Sequence, residues 1–204
     1  MKQVIQIRCK NNKKSQKVEI GSTLFDIFSA FDLKMTHGPV SARVNNKVEG
    51  MHYRVYNSKD VEFLDMTSSS GSRTYTRTLF FVLCKAVQDI YPATDVVIDI
   101  PVSNGFYVDI RLGRPVVDED VNIIRRRMQE IIDARMPIRR FTVPTEEAVA
   151  LFQEKGDVEK VKLLKTSGAI YTTYYKIGDY VDYYYGTLLT NTSQLYLFGL
   201  EKYY

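Results

Sequence analysis

The run SNGFYVDI at residues 103–110 places a phenol and a carboxylate two positions apart, at Tyr107 and Asp109. Period-two alternation sets this pair on one face of a strand and Phe106, Val108 and Ile110 on the other. A phenol beside a carboxylate offers a donor next to an acceptor and could wall a site; a solvated strand carries the same pattern. Other candidates for chemistry are few. Two histidines, His37 and His52, and two cysteines, Cys9 and Cys84, are scattered along 204 residues. None stands at the spacing used by zinc ligands or by a histidine-activated nucleophile, so neither a metal site nor a disulfide framework is expected. No G-x-x-x-x-G-K-[ST] and no G-x-G-x-x-G run occurs, so this stretch brings no phosphate cradle for ATP.

The net charge of +4 is modest but unevenly spread. Lys13 and Lys14 occupy a lysine-rich turn, and Arg125 and Arg126 sit in a triple-arginine run with Arg127. Each group is a candidate for RNA phosphates, and each is also what a solvated face looks like.

The elements that position these groups follow from periodicity. Strands are predicted at 4–8 and 17–20, a helix begins at Ser22 or Thr23 and lasts until His37-Gly38-Pro39, and further strands lie at 40–44 and 61–64 with Asn45-Asn46 as a turn. This ββαββ order implies a β-grasp domain over 1–66. The Ser-rich stretch at 67–73 reads as a linker. A long helix over about 74–91 then carries Leu79, Val82, Leu83, Ala86, Val87 and Ile90 on its apolar face, before a hairpin that turns at Asn104-Gly105. A second helix opens with Asp118-Glu119-Asp120 and buries Val121, Ile124, Met128, Ile131 and Ile132. A strand at 138–143, a short helix from Thr145, and tyrosine-interleaved strands complete 74–204. The aromatic tail suits packing, a subunit interface of an oligomer, or the stacking of bases. Residues 195–200 read as strand. The fold class expected is α+β. Neither a secretory start nor an apolar run of about 18 residues appears, which predicts a cytoplasmic chain with no membrane partner.

Taken together, these residues resemble the front of the threonyl-tRNA synthetase family, a small TGS domain followed by an editing domain. Arg43-Val44-Asn45 carries the first part. The second rests on Ala86-Val87, Tyr91-Pro92, the hairpin through Asp109, Glu119-Asp120-Val121 leading to Met128, Glu147-Ala148 with Phe152, and Tyr180-Val181-Asp182. The resemblance implies a fold without its chemistry. The family's H-x-x-x-H pair falls on Arg77 and Phe81, and its later cysteine and histidine fall on Tyr184 and Leu188, so no catalytic residue is expected. If the family's cleft persists, Arg77, Tyr107, Asp109 and Tyr184 would line it for a small-molecule ligand, with Arg77 and Asp109 free to pair.

The same degenerate pairing is similar to the front end of bacterial nucleoside kinases of the uridine kinase and phosphoribulokinase type. It implies an accessory region with no cofactor of its own, followed in the same chain by a P-loop domain that uses ATP and Mg beyond Tyr204. A stand-alone RNA-binding or regulatory module and a trans-editing hydrolase of aminoacyl-tRNA are the alternatives.

Overall fold

The computed structural model describes residues 3–92, 94–103 and 105–202. The fold is α+β and divides into two compact units, Met1–Met136 with Thr187–Tyr204, and Pro137–Gly186. Asn104, half of the expected turn, lies outside the described residues, as do Tyr203 and Tyr204 of the tyrosine-rich tail.

The first unit opens with β1 (Val4–Cys9), β2 (Ser15–Glu19), α1 (Leu24–Ala30), β3 (Ser41–Val44), β4 (Lys47–Glu49) and β5 (Lys59–Leu64). These strands form one mixed sheet in the order β2-β1-β5-β3-β4, in which β1 and β5 are parallel and the other pairs antiparallel. This is the β-grasp arrangement. Ile7, Cys9, Val61 and Phe63 face Leu24 and Ile27 of α1 in one core, as the alternation requires. Thr23 caps α1 through a reciprocal pair of bonds with Asp26 (3.2 and 2.8 Å), which fixes where the helix starts. The helix stops at Ala30, well short of His37, because Asp32 turns left-handed at φ +46. Asn45 and Asn46, both at positive φ, make the turn into β4, a three-residue strand absent from the sequence reading.

The Ser-rich stretch is not a linker from Ser69 onward, since α2 spans Ser69–Ile90. Serine disfavours helix interiors but serves well at a cap. Ser68 Oγ accepts from the Gly71 N–H (3.1 Å) while donating to the Asp65 carbonyl (2.8 Å), and so begins the helix. The hairpin of β6 (Asp95–Val102) and β7 (Gly105–Arg111) follows, then α3 (Asp118–Asp133), whose predicted apolar stripe is buried throughout.

The chain returns to this unit at Thr187. Thr74 and Thr187 share a buried hydroxyl bond (3.1 Å), and Thr78 Oγ1 accepts from the Leu189 N–H (2.9 Å) while donating to the Thr74 carbonyl. Thr192, in a short 3₁₀ turn, donates to the Ile131 carbonyl and accepts from the Met136 N–H (both 2.9 Å). Residues 195–200 are not a strand. A side chain takes the place of a partner strand: the Tyr75 hydroxyl accepts from the N–H groups of Tyr196 (3.0 Å) and Leu197 (2.8 Å) and donates to the Leu197 carbonyl (2.9 Å). Thr78→Val keeps the shape and strands a buried N–H, so a loss of about 1–3 kcal/mol is expected in chemical denaturation. Ser193→Ala, at an exposed position, serves as the control and should change little.

The second unit comprises β8 (Arg139–Pro144), α4 (Thr145–Glu154), α5 (Val158–Thr166), β9 (Tyr171–Ile177) and β10 (Tyr180–Tyr183). The strands form an antiparallel sheet in the order β10-β9-β8. Phe141 and Tyr174 stack across β8 and β9 at 5.2 Å, in register as direct cross-strand partners. Ala148, Phe152, Leu164 and Val181 make the core between this sheet and its two helices.

Candidate functional site

The four positions that the resemblance assigns to hydrolytic groups are split by burial. Phe81 is fully buried in the core of α2 and Leu188 is 2% exposed on the returning segment. Both are packing residues. Arg77, one turn before Phe81 on α2, is half-buried and has no hydrogen bond or ion pair among the described residues. Tyr184 follows β10 in the second unit and is also half-buried. A guanidinium does not accept a proton near neutral pH, and a phenol is a weak base there.

Tyr107 and Asp109 occupy the polar face of β7, as the alternation predicts. The other face meets α2: the Phe106 ring packs edge-on against Phe80, with centroids 5.0 Å apart, and Ile110 is buried. Asp109 is paired by Arg111 at 3.1 Å, not by Arg77, and both members of that pair are about half exposed. Such a surface pair adds little to stability. Among the described residues no group of three His, Cys, Asp or Glu side chains is placed to hold a metal ion.

Two ionic clusters went unrecognised in the sequence. In the first unit, Asp120 is 2% exposed and accepts four hydrogen bonds: two from the Arg114 guanidinium (both 2.7 Å), one from the Tyr91 hydroxyl (2.6 Å) and one from the Val117 N–H (2.9 Å). Arg114, then Tyr91 and the Val117 amide, hold its carboxyl well below the usual carboxylate range. The cluster ties the end of α2 to the start of α3. In the second unit, Lys160 Nζ pairs with Asp157 (2.7 Å) and Asp182 (2.9 Å), and lies 5.8 Å from the centre of the Phe152 ring. Burial pushes the Lys160 ammonium down, but the two carboxylates outweigh it and the net shift is upward. In both clusters the charged groups are paired, which suits an anchor rather than a proton-transfer group.

The basic residues read from the sequence separate likewise. Lys13 and Lys14 lie exposed at the tip of the β1–β2 hairpin, Lys13 at φ +61. Arg127 is consumed by Asp89 (2.9 Å) and Glu130 (2.8 Å). Arg125 and Arg126 line a groove of about 440 Å³ with Asn122 and Gln129 of α3, and the opposite wall is Tyr196, Leu197 and Phe198. Sequence reasoning found the two arginines and missed the wall, which is roughly seventy residues further along the chain.

No protein-family model matches the chain. Among curated proteins it is similar to the threonine–tRNA ligase of Acetivibrio thermocellus, 28% identical over 181 residues that make up 88% of this chain and 28% of the relative. The ligase of Clostridium kluyveri is 29% identical over 193 residues, 94% of this chain and 30% of its own length. That of Syntrophotalea carbinolica is 31% identical over 179 residues, 87% and 28% respectively. The chain thus spans less than a third of the length of these relatives. The similarity runs through most of the chain and supports a module derived from the threonyl-tRNA synthetases. No helix among the described residues is long and apolar enough to cross a membrane.

Proposed function

We propose that this chain is a binding module of threonyl-tRNA-synthetase descent without an ester-hydrolysing centre, serving as the accessory front region of a nucleoside kinase. In this reading 1–66 corresponds to the TGS domain and 74–204 to the editing domain, and ATP and Mg are bound by a P-loop domain beyond Tyr204. The observation that carries the non-hydrolytic part is the burial of Phe81 and Leu188 where the family pattern has imidazoles. A core phenylalanine and a core leucine can neither position a water nor take its proton. The kinase part is supported by the resemblance of the degenerate pairing to such proteins. Exposed Lys13 and Lys14 are the module's candidate contacts to RNA phosphates.

The kinase part is tested by the mass of the endogenous product and by its coding frame read past the codon for Tyr204. A product of roughly 500 residues or more with a G-x-x-x-x-G-K-[ST] run is expected, since that length implies further domains. A stop at that codon would overturn it and favour a stand-alone RNA-binding or regulatory module.

A further inference from the structure

The α3 groove is lined by two guanidiniums, two side-chain amides and a wall that carries two aromatic rings. Its helix side carries Asn122, Arg125, Arg126 and Gln129, which recur at intervals of three and four and so share one face. Among the described residues no carboxylate lines it. Its volume of about 440 Å³ is in the range of sites that take one small molecule or one residue of a polymer.

The opposite wall is held in place although it belongs to no strand. The Tyr75 hydroxyl grips the backbone at Tyr196 and Leu197. The Tyr196 ring stacks on His37, with centroids 6.0 Å apart and planes within 9°, and its hydroxyl bonds the His37 Nδ1 at 2.9 Å. At the far end, the Arg125 guanidinium donates to the Leu200 carbonyl through Nε at 3.0 Å and through a second nitrogen. A segment pinned at both ends offers a preformed surface, so a ligand would not bear the cost of ordering it.

Two groups facing this groove stand out among the described residues. Arg126 is exposed and has no hydrogen bond or ion pair among the described residues, and Phe198 is half-buried with no ring contact among them. One asks for an anion and the other for a flat apolar or aromatic face. Asn122 and the Gln129 carbonyl oxygen add neutral polar atoms, the Gln129 amide nitrogen being held by Asp133 at 2.9 Å.

We propose that the groove between α3 and residues 196–198 binds a nucleoside phosphate unit, with the phosphate on Arg126 and the base against Phe198. A free nucleotide and one residue of a single-stranded RNA share this chemistry. An acidic peptide satisfies the guanidinium but leaves Phe198 without a flat partner, which is why the base is favoured. The inference stands on the groove alone and does not depend on the descent or the kinase association of the chain.

The test uses the 204-residue chain and its Arg126→Glu and Phe198→Ala variants. Binding of AMP, of UMP, of an eight-nucleotide single-stranded RNA and of a glutamate-rich octapeptide is followed by titration calorimetry at two salt concentrations. Thermal midpoints of the variants serve as folding controls, and the exposed, unbonded Arg126 should be replaceable without a shift. Each variant is expected to weaken the nucleotide or the RNA by about tenfold, the loss of a charge-assisted bond or of one stacked base. Tighter binding of the RNA, with a salt slope that falls by about 1 in Arg126→Glu, identifies a polynucleotide as the source. Equal affinity of the mononucleotides and the RNA, with no slope difference beyond one phosphate, identifies a free nucleotide. The proposal is overturned if no nucleotide or RNA binds at millimolar concentration, if binding is indifferent to both variants, or if the octapeptide binds as tightly.

Discussion

Gly71→Ala is expected to lower the unfolding midpoint of the first unit by roughly 4–8 °C, the shift that about 2 kcal/mol produces in a domain of this size. A Cβ at this position would stand 1.8 Å from the Asp65 carbonyl oxygen and 2.7 Å from its carbon. Both are backbone atoms, so no rotamer change relieves the clash, and the first turn of α2 has to move away from residues 65–68. Overpacking of this kind costs about 1–3 kcal/mol and occasionally more. Alanine's better helix propensity returns at most about 1 kcal/mol, so the clash decides the sign. Gly50→Ala provides the contrast. A Cβ there meets its nearest neighbour at 3.9 Å, an ordinary contact, and its midpoint should stay within about 2 °C of the parent, as expected for a change of under 0.5 kcal/mol. Equal midpoints for the two variants would show that the α2 cap is not packed as described.

Asp120→Asn is the second large effect, and it carries a pH signature. The substitution keeps the shape but replaces an acceptor oxygen by an NH2 group among three donors, so the Arg114 guanidinium loses its bidentate partner. At pH 7 the midpoint is expected to fall by roughly 5 °C or more, on the scale that the loss of charge-assisted bonds sets in a domain of this size. Folding depresses the Asp120 pKa, so its contribution is complete above the unfolded carboxyl's value of about 4 and fades as the pH falls towards the lower folded value. The gap between parent and variant should therefore be constant from pH 7 to about 5 and shrink below about 4. Thermal melts at pH 7, 5, 4 and 3 check this. A gap that persists undiminished at pH 3 would mean that Asp120 acts through shape and not through charge.

These two residues show how far the sequence could be read. The acids of Asp118-Glu119-Asp120 were legible as partners of a helix start, and α3 begins at Asp118. That one of the three is buried under Arg114 and Tyr91 was not legible, because nothing local marks the residues that will converge from α2 and from the loop before α3. The serines of 67–73 were legible as poor helix formers. Their use as a cap depended on the Asp65 carbonyl, which only the fold places beside Ser68. Strong periodicity gave the β-grasp strands and the apolar faces of α2 and α3. Weak periodicity hid β4, which has three residues, and α5, whose Val158 and Leu163 are exposed and blur its apolar side.

The candidate site divides in the same way. The resemblance places the family's hydrolytic positions at Arg77, Phe81, Tyr184 and Leu188, and the structure adds that Phe81 and Leu188 are buried. Alternation gives β7 an apolar side at Phe106 and Ile110, but not that Phe106 meets Phe80 of α2. That contact is tertiary. The groove beside Arg125 and Arg126 lay wholly beyond sequence reasoning, since it exists only because Tyr75 holds a backbone more than 120 residues away. Residues 195–200 have the composition of a strand and lack its partner, and composition alone does not tell the two apart.

In the proposed function this chain keeps a synthetase-derived fold and has lost ester hydrolysis. That loss is tested most directly by incubating the purified 204-residue chain with a mischarged aminoacyl-tRNA and following release of the amino acid over time. The uncatalysed rate is expected, unchanged by Asp109→Asn or Tyr107→Phe. A rate well above that of buffer alone, abolished by either substitution, would contradict it and identify the β7 polar face as a working hydrolytic centre.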